Sequence, residues 1–486
     1  MPVGDTPPRP GTIIETDLPA RLDRLPWARW HWRVVIALGV TWILDGLEVT
    51  IVGALGAVLS EPGTLALSES QIGFAASAYL AGAIVGALVF GRLADRLGRR
   101  RLFLATLCVY VVATLLTATS TGFVSFAVFR ALTGMGIGGE SSAMNSAIDE
   151  LIPARVRGRV DLSVNGTYWL GTALGAAATL VLLDARLVPH ALGWRLAFGL
   201  GAVLGTSVLL IRRHLPESPR WLLLHGRVEE AGRIVAAIEH TVASETGRPL
   251  PPVGPAYDVE VKGTVGLGAV ARTLLVRHRR RTVLGLALMV SQAFTYNAIF
   301  FTYAMVLRRF YGVPSARVGL YLLPFAVGNA LGPLTLGHLF DTVGRRVMIT
   351  LTYSIAGVLL AVTGWLFARG LLTATTQTAL WCGVFFVASA AASSAYLTVS
   401  ELFPVELRGL AIALFYVAGL AVGGLFAPWV FAALIESGRR DHVFIGYLVG
   451  AALMCGAALT TLVLGVPAEG KSLEAIAALD DLAPQR

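Results

Sequence analysis

The chain has 486 residues, 55% of them hydrophobic and only 14% charged, with a mean hydropathy of +0.70. That composition leaves too little polar surface for a water-soluble globule of this size and places the chain in a bilayer. The formal charge of +9 does not point to nucleic acid, because the basic residues crowd the turns between apolar segments instead of forming a binding stripe.

A membrane-crossing helix needs roughly 20 mostly apolar residues. Twelve stretches meet that requirement, at about 34–59, 72–91, 101–119, 123–151, 160–183, 194–212, 282–306, 317–338, 346–368, 374–402, 409–434 and 443–465. They group as six, a long interruption, then six. The expected fold is all-α and integral to the membrane, with twelve transmembrane helices in two six-helix bundles. The expected division is a tail at 1–33, a bundle at 34–212, a linker at 213–281, a bundle at 282–465 and a tail at 466–486. Residues 1–30 are Pro-rich and mixed in charge, unlike a cleavable signal peptide, so the first span is expected to target the chain.

The first span carries Leu44-Asp45-Gly46-Leu47-Glu48, and the fourth carries Arg130 and Glu140. An ionised residue in the hydrocarbon core costs on the order of 3 kcal/mol on insertion scales, so each needs a reason. Low dielectric favours a neutral carboxylic acid, whereas a nearby arginine favours the carboxylate. A carboxylate whose distance from Arg130 changes with conformation would therefore load and release a proton. By helical rise, Glu48 and Arg130 lie about 16 Å and about 10 Å from the outer ends of their spans, which allows contact. The plainer alternative is an ion pair that holds the first and fourth spans together. Asp45, three residues before Glu48, is a second candidate for the proton, or a group that orients a solute.

Between the second and third spans stands Gly91-Arg92-Leu93-Ala94-Asp95-Arg96-Leu97-Gly98-Arg99-Arg100. Between the eighth and ninth, Gly337-His338-Leu339-Phe340-Asp341-Thr342-Val343-Gly344-Arg345-Arg346 repeats its Gly, Asp, Gly, Arg and Arg in register. A second pair, Glu150-Leu151-Ile152-Pro153 with Arg157-Gly158 and Glu401-Leu402-Phe403-Pro404 with Arg408-Gly409, recurs at nearly the same offset. The chain is thus read as an internal duplication. Positive charge marks these turns, and with them both termini, as cytoplasmic. Arg308, Arg309 and Arg317 break the pattern. Asp95 and Asp341 suit the positive N-terminus of a span in the opposite half, and Gly91 and Gly337 suit close helix approach. Glu150, Arg157, Glu401 and Arg408 would add ion pairs, completing with Arg99 and Arg345 a cytoplasmic gate whose exposed pairs are each worth at most about 1 kcal/mol.

In the linker, Val228–Ile238 has apolar positions at helical spacing and predicts a short surface helix. Closely spaced glycines within spans, such as Gly82 and Gly86 or Gly134 and Gly138, predict tight helix packing. Cys108, Cys382 and Cys455 lie in apolar spans and read as small buried hydrophobes. No metal, cofactor or nucleotide site is expected, and enzyme activity is not.

With its repeated G-x-x-x-D-x-x-G-R-R turns and six plus six spans, the chain resembles the major facilitator superfamily over nearly its whole length. Pro216-Glu217-Ser218-Pro219-Arg220-Trp221-Leu222 and Pro467 through Ile476 are similar to motifs of the sugar porter family and its synaptic-vesicle-glycoprotein-like and organic-ion relatives. The resemblance implies that Glu48 stands at the proton-carrying carboxylate and Arg130 at the fourth-span arginine. It also puts Gln292 and Asn297 in the seventh-span solute motif, although Ser291 replaces a Gln there and Tyr296 precedes the Asn. The G-P-x-x-W element of the tenth span is missing, with Tyr396 in that region, and the fifth span offers Asn165 and Trp169 without the family Gln. The expectation is a monomeric, proton-coupled symporter of a sugar-like solute in the cell membrane, contacting proton, solute and lipid. Alternatives are a symporter of an organic acid or ion, a proton-antiporting exporter, and a transport-dead sensor.

Overall fold

A computed structural model describes residues 13–184, 186–212, 216–254, 256–260, 272, 274–276, 278–402 and 413–465. Among the described residues, ten helices are long and apolar enough to cross a membrane, and the apolar stretches Phe123–Gly139 and Gly166–Leu182 lie in two further helices of 29 residues. The twelve spans form the two six-helix bundles of the major facilitator fold. The first six are Arg29–Leu55, Glu69–Leu97, Arg99–Ala118, Phe123–Leu151, Ala154–Leu182 and His190–Arg212. The seventh is Arg279–Phe300 continued by Tyr303–Tyr311, followed by Val318–Thr342, Arg345–Ala368, Ala374–Leu402, 413–436 and Arg440–Leu464.

The sequence treats the seventh span as one helix, but it breaks at Phe301 and Thr302. The Asn297 amide donates to the Ala293 carbonyl at 2.7 Å and the Thr302 hydroxyl to that of Ala298 at 2.5 Å. Such back-bonding competes with the helical ladder and bends it. In the eleventh span Leu420–Gly424 is a π-helical turn, where the Leu425 amide reaches the Leu420 carbonyl at 2.6 Å. Both Arg-rich turns close on a glycine with positive φ, Gly98 at 86° and Gly344 at 109°, a conformation that a side chain would strain. Because successive spans alternate direction, the two turns share one face, here termed the basic face.

Glycines set the helix spacing. A Cβ added at Gly82, Gly86, Gly134 or Gly138 would lie 1.8, 2.1, 1.9 or 2.0 Å from a carbonyl oxygen of the facing span, so the second and fourth spans touch backbone to backbone. Gly46 and Gly171 do the same between the first and fifth spans, each 2.0 Å from a carbonyl oxygen. The second bundle repeats the scheme, with Gly332 against Phe386 at 2.0 Å and Gly423 against Val290 at 2.2 Å.

The bundles meet at the face opposite the turns. One buried cluster draws on both halves there, joining Ile51, Leu55, Ile72 and Tyr79 to Phe300, Phe301, Met305 and Phe431. A Cβ at Gly73 would stand 2.4 Å from the Ala432 side chain, and one at Gly319 would stand 2.6 Å from the Ala176 carbonyl. Other clusters are confined to one half each, Val34, Leu38, Phe103 and Val160 in the first and Leu288, Ile349, Tyr353 and Val399 in the second.

The linker helix, Val228–Thr246, is longer than its sequence pattern predicts, and its apolar face does not lie free. Ala231, Val235, Ile238 and Val242 are buried against Leu18, Leu22 and Leu25 of the N-terminal segment. Strand Ile13–Thr16 pairs antiparallel with Tyr257–Glu260. Arg21 and Arg24 both meet Glu239 at 2.5 Å, and Arg33 meets Glu245 at 3.0 Å. The N-terminal segment is thus clasped to the linker. Burial pushes the Glu239 carboxyl up, but the hydrogen bonds from Arg21 and Arg24 outweigh it and hold it below its ordinary value.

Gly134→Ala should destabilise the protein by about 1–3 kcal/mol through overpacking, whereas Gly199→Ala, with no described atom within 4 Å of the added carbon, should be near neutral; thermal unfolding in detergent separates them. A carboxylate held low in the folded state adds stability above its unfolded value and loses it as pH falls through the folded one. Hydrogen-exchange protection factors in residues 13–28, corrected for the intrinsic rate at each pH, should therefore fall below about pH 4, and Glu239→Gln should cost about 1 kcal/mol at neutral pH.

Candidate functional site

The close packing of the second and fourth spans brings Arg130 against the first span. Its Nη1 donates to Glu48 Oε1, and the Arg130 and Glu48 side chains are 0% and 1% exposed. The Tyr110 hydroxyl donates to Glu48 Oε2 at 3.3 Å. Gly201 makes room for this cluster, since a Cβ there would stand 3.1 Å from Glu48 Oε2 and 3.2 Å from the Tyr110 oxygen. The guanidinium carbon lies over the Tyr79 ring at 4.5 Å and near that of Phe198 at 5.6 Å. Neither Nε nor Nη2 of Arg130 finds a hydrogen-bond acceptor among the described residues. Such a pair is poised: intact, it offsets its own desolvation, but removal of one partner costs about 3–5 kcal/mol.

Asp45, almost one turn earlier, is only half-buried. The Tyr79 hydroxyl reaches its Oδ1 at 3.5 Å. Its carboxylate is also within electrostatic reach of Tyr168 in the first bundle and of Tyr396 and Tyr416 in the second. Asp45 therefore stands on the wall between the bundles. A row of rings continues that wall, with centroid separations of 6.3 Å for Trp42 and Tyr168, 5.1 Å for Tyr168 and Trp169, 6.3 Å for Trp169 and Tyr296, and 5.0 Å for Tyr296 and Phe385. The Trp169–Tyr296 contact crosses from one bundle to the other.

Among the other sequence candidates, the Tyr296 hydroxyl donates to Asn329 at 2.7 Å. Gln292 lies beside the Tyr396 phenol, and Tyr396 is 39% exposed. Asn297 turns back to its own helix and abuts Gly424 of the eleventh span, where a Cβ would stand 3.0 Å from its Nδ2. On the basic face, Gly337, expected to admit a close neighbour, has no described atom within 4 Å of an added Cβ, and Arg345 opens the ninth span. Gly91, Asp95, Arg99, Glu150, Arg157, Asp341 and Glu401 stand on helices, but their side chains lie outside the described residues, as do those of Glu140 and Asn165 and the whole of Arg408.

The sequence does not reveal the closure on the opposite face. Arg308, which violates the charge rule, reaches across the halves to the Ala57 carbonyl and the Ser60 hydroxyl. Ser315 donates to Glu61 at 2.9 Å, and the Ser70 amide to Glu436 at 3.0 Å. The signal was present as misplaced arginines, but nothing in the pattern pairs them with the end of the first span.

Comparison with known proteins matches residues 28–479 to a family described as sugar (and other) transporter. The chain is 26% identical to a niacin transporter of Acinetobacter baylyi over 95% of its length and 99% of that protein. It is also 26% identical to a 4-hydroxybenzoate transporter of the same organism, over 89% of this chain and 91% of the relative. Among solved structures, the xylose transporter of E. coli superposes with a TM-score of 0.70 at 20% identity, covering 91% of this chain and 99% of that one.

Arg308→Ala should loosen the opposite face. Loss of a charged hydrogen bond worth about 1.5 kcal/mol allows roughly a tenfold shift in population. Labelling of a cysteine introduced at Ile51 by a membrane-impermeant maleimide should accelerate accordingly.

Proposed function

Because the chain belongs to the sugar (and other) transporter family of the major facilitator superfamily, we propose that it carries a small organic solute together with a proton, by alternating access between its two bundles. The observation that carries this reading is the buried Glu48–Arg130 pair lying behind a half-buried Asp45 on the wall between the bundles. Glu48 accepts a proton from the open side, the protonated acid no longer neutralises Arg130, and reorientation delivers the proton to the other side, where the pair reforms. Positive charge assigns the basic face and both termini to the cytoplasm, in the cell membrane. The contact between bundles at the opposite face then makes this the inward-facing state. Gly91, Asp95, Arg99, Glu150, Arg157, Gly337, Asp341, Arg345, Glu401 and Arg408 close the cytoplasmic side in the alternate state. Residues 34–212 and 282–465 act as the moving bodies, with 213–281 as their connection, and a monomer suffices because both walls of the site belong to one chain.

The solute we propose is a hydroxylated ring of sugar size. Asp45, Gln292, Tyr296 and Tyr396 supply acceptors and donors, with Asn165, Trp169 and Asn297 in supporting places. A second reading, an aromatic acid, is favoured by the ring row from Trp42 to Phe385 and by the niacin and 4-hydroxybenzoate that two relatives are named for. In that case Arg130, released by protonation of Glu48, meets the solute carboxylate.

Proteoliposomes supplied with D-xylose, nicotinate or 4-hydroxybenzoate, with and without an imposed pH gradient, separate the two readings. Glu48→Gln should abolish gradient-driven accumulation and leave counterflow exchange intact. Loss of exchange together with folded protein would instead assign the pair a purely structural role, and retained uphill uptake would move the proton to Asp45.

A further inference from the structure

Tyr79 of the second span touches Asp45, the Arg130 partner of Glu48, and the other bundle. Its hydroxyl donates to Asp45 at 3.5 Å, its ring lies under the Arg130 guanidinium at 4.5 Å, and its centroid is 6.2 Å from that of Phe301 in the seventh span. It is 4% exposed, held where Gly134 lets the fourth span approach the Tyr79 carbonyl. We propose that Tyr79 is a positioning residue that couples the charge on Asp45 to the proton on Glu48. This inference rests on the proton-coupled reading above.

The physical route runs through the ring. A phenol that donates to a carboxylate gains electron density, and a more electron-rich face holds a cation more strongly. With Asp45 ionised and bound by the hydroxyl, Arg130 is held by Tyr79 at the expense of its bond to Glu48, and Glu48 takes up a proton more readily. With Asp45 neutral, the hydroxyl is released and Arg130 returns to Glu48. A solute whose hydroxyl or N–H donors bind ionised Asp45 therefore favours protonation of Glu48. By linkage a proton on Glu48 favours that solute, which is the sign that symport requires. Among the described residues, four phenols also lie in electrostatic reach: Tyr110 of the third span, which bonds Glu48, Tyr168 of the fifth, Tyr396 of the tenth and Tyr416 of the eleventh. Being uncharged phenols, they set a constant background. Phe301 ties the relay to the closure at the opposite face, since separation of the bundles there would withdraw it from the Tyr79 ring.

The test uses the full-length protein in nanodiscs without solute, with the proton as the probe. The carboxyl stretch of Glu48, identified by its loss in Glu48→Gln, is titrated by infrared difference spectroscopy. Asp45→Asn should change the proton concentration that half-fills Glu48 by about fivefold or more in the parent, and by less than about twofold in Tyr79→Phe, which keeps the ring and its packing. Tyr79→Met, lacking ring and hydroxyl, should lose the coupling as well. Equal factors in parent and Tyr79→Phe would overturn the proposal in favour of a direct field between Asp45 and Glu48, as would the parent's factor surviving in Tyr79→Met. Absence of any Glu48 titration would overturn the proton-coupled reading itself, and the relay with it.

Discussion

Helices in lipid have no hydrophobic reason to associate, because the solvent is as apolar as their surfaces. In this protein the deficit is met by backbone contact. Gly82, Gly86, Gly134 and Gly138 interlock the second and fourth spans so closely that a methyl group at any of them would enter a carbonyl oxygen. Gly46 and Gly171 join the first and fifth in the same way. Everything at the site follows from those approaches, since the second span brings Tyr79 under Arg130 and the first brings Glu48 to its Nη1. A looser bundle would admit water, and Arg130, whose Nε and Nη2 meet no acceptor among the described residues, would then be an ordinary solvated cation.

The duplication is repeated in the electrostatics of the helix ends. Arg195, at the start of the sixth span, donates to the Ala118 carbonyl at the end of the third at 2.5 Å; Arg440, at the start of the twelfth, donates to the Phe367 carbonyl at the end of the ninth at 3.2 Å. Arg308 and Arg309 reach the ends of the first and eleventh spans, through the carbonyls of Ala57 and Glu436. Odd-numbered spans run toward the opposite face, so their negative dipole ends gather there. These four arginines, on a face where a simple charge rule expects few, are each bound to such an end. Arg308 differs from the rest because its target belongs to the other bundle, so the same chemistry that caps a helix also joins the halves.

The two faces carry different kinds of contact. The opposite face joins the bundles by apolar burial and cross-bundle hydrogen bonds, whereas the clusters around Val34 and Leu288 each stay within one bundle. On the basic face the N-terminal segment and the linker helix are bound to each other and, through Arg33 and the Trp30 amide, to the start of the first span by Glu245. This attaches the connection between the bundles to the first of them.

The sequence by itself determined the membrane class, the twelve spans, the duplication and the family, because hydropathy and short charged turns are local properties that survive without knowledge of contacts. It also singled out Asp45, Glu48 and Arg130, since a charge in an apolar run needs a partner wherever the chain folds. The tertiary structure decided which of them pair. Asp45 and Glu48 are three residues apart and equally polar on paper, yet one is sealed against Arg130 and the other stands half-buried beside Tyr79. Tyr79 carries no sequence signal, because an aromatic in a membrane helix is commonplace and only the glycine-set spacing puts its two ends on different charges. The break at Phe301 and Thr302, the docking of the linker helix on Leu18 and Leu22, and the reach of Arg308 to Ala57 were likewise set by contacts between residues distant in the chain, where periodicity and composition hold no information.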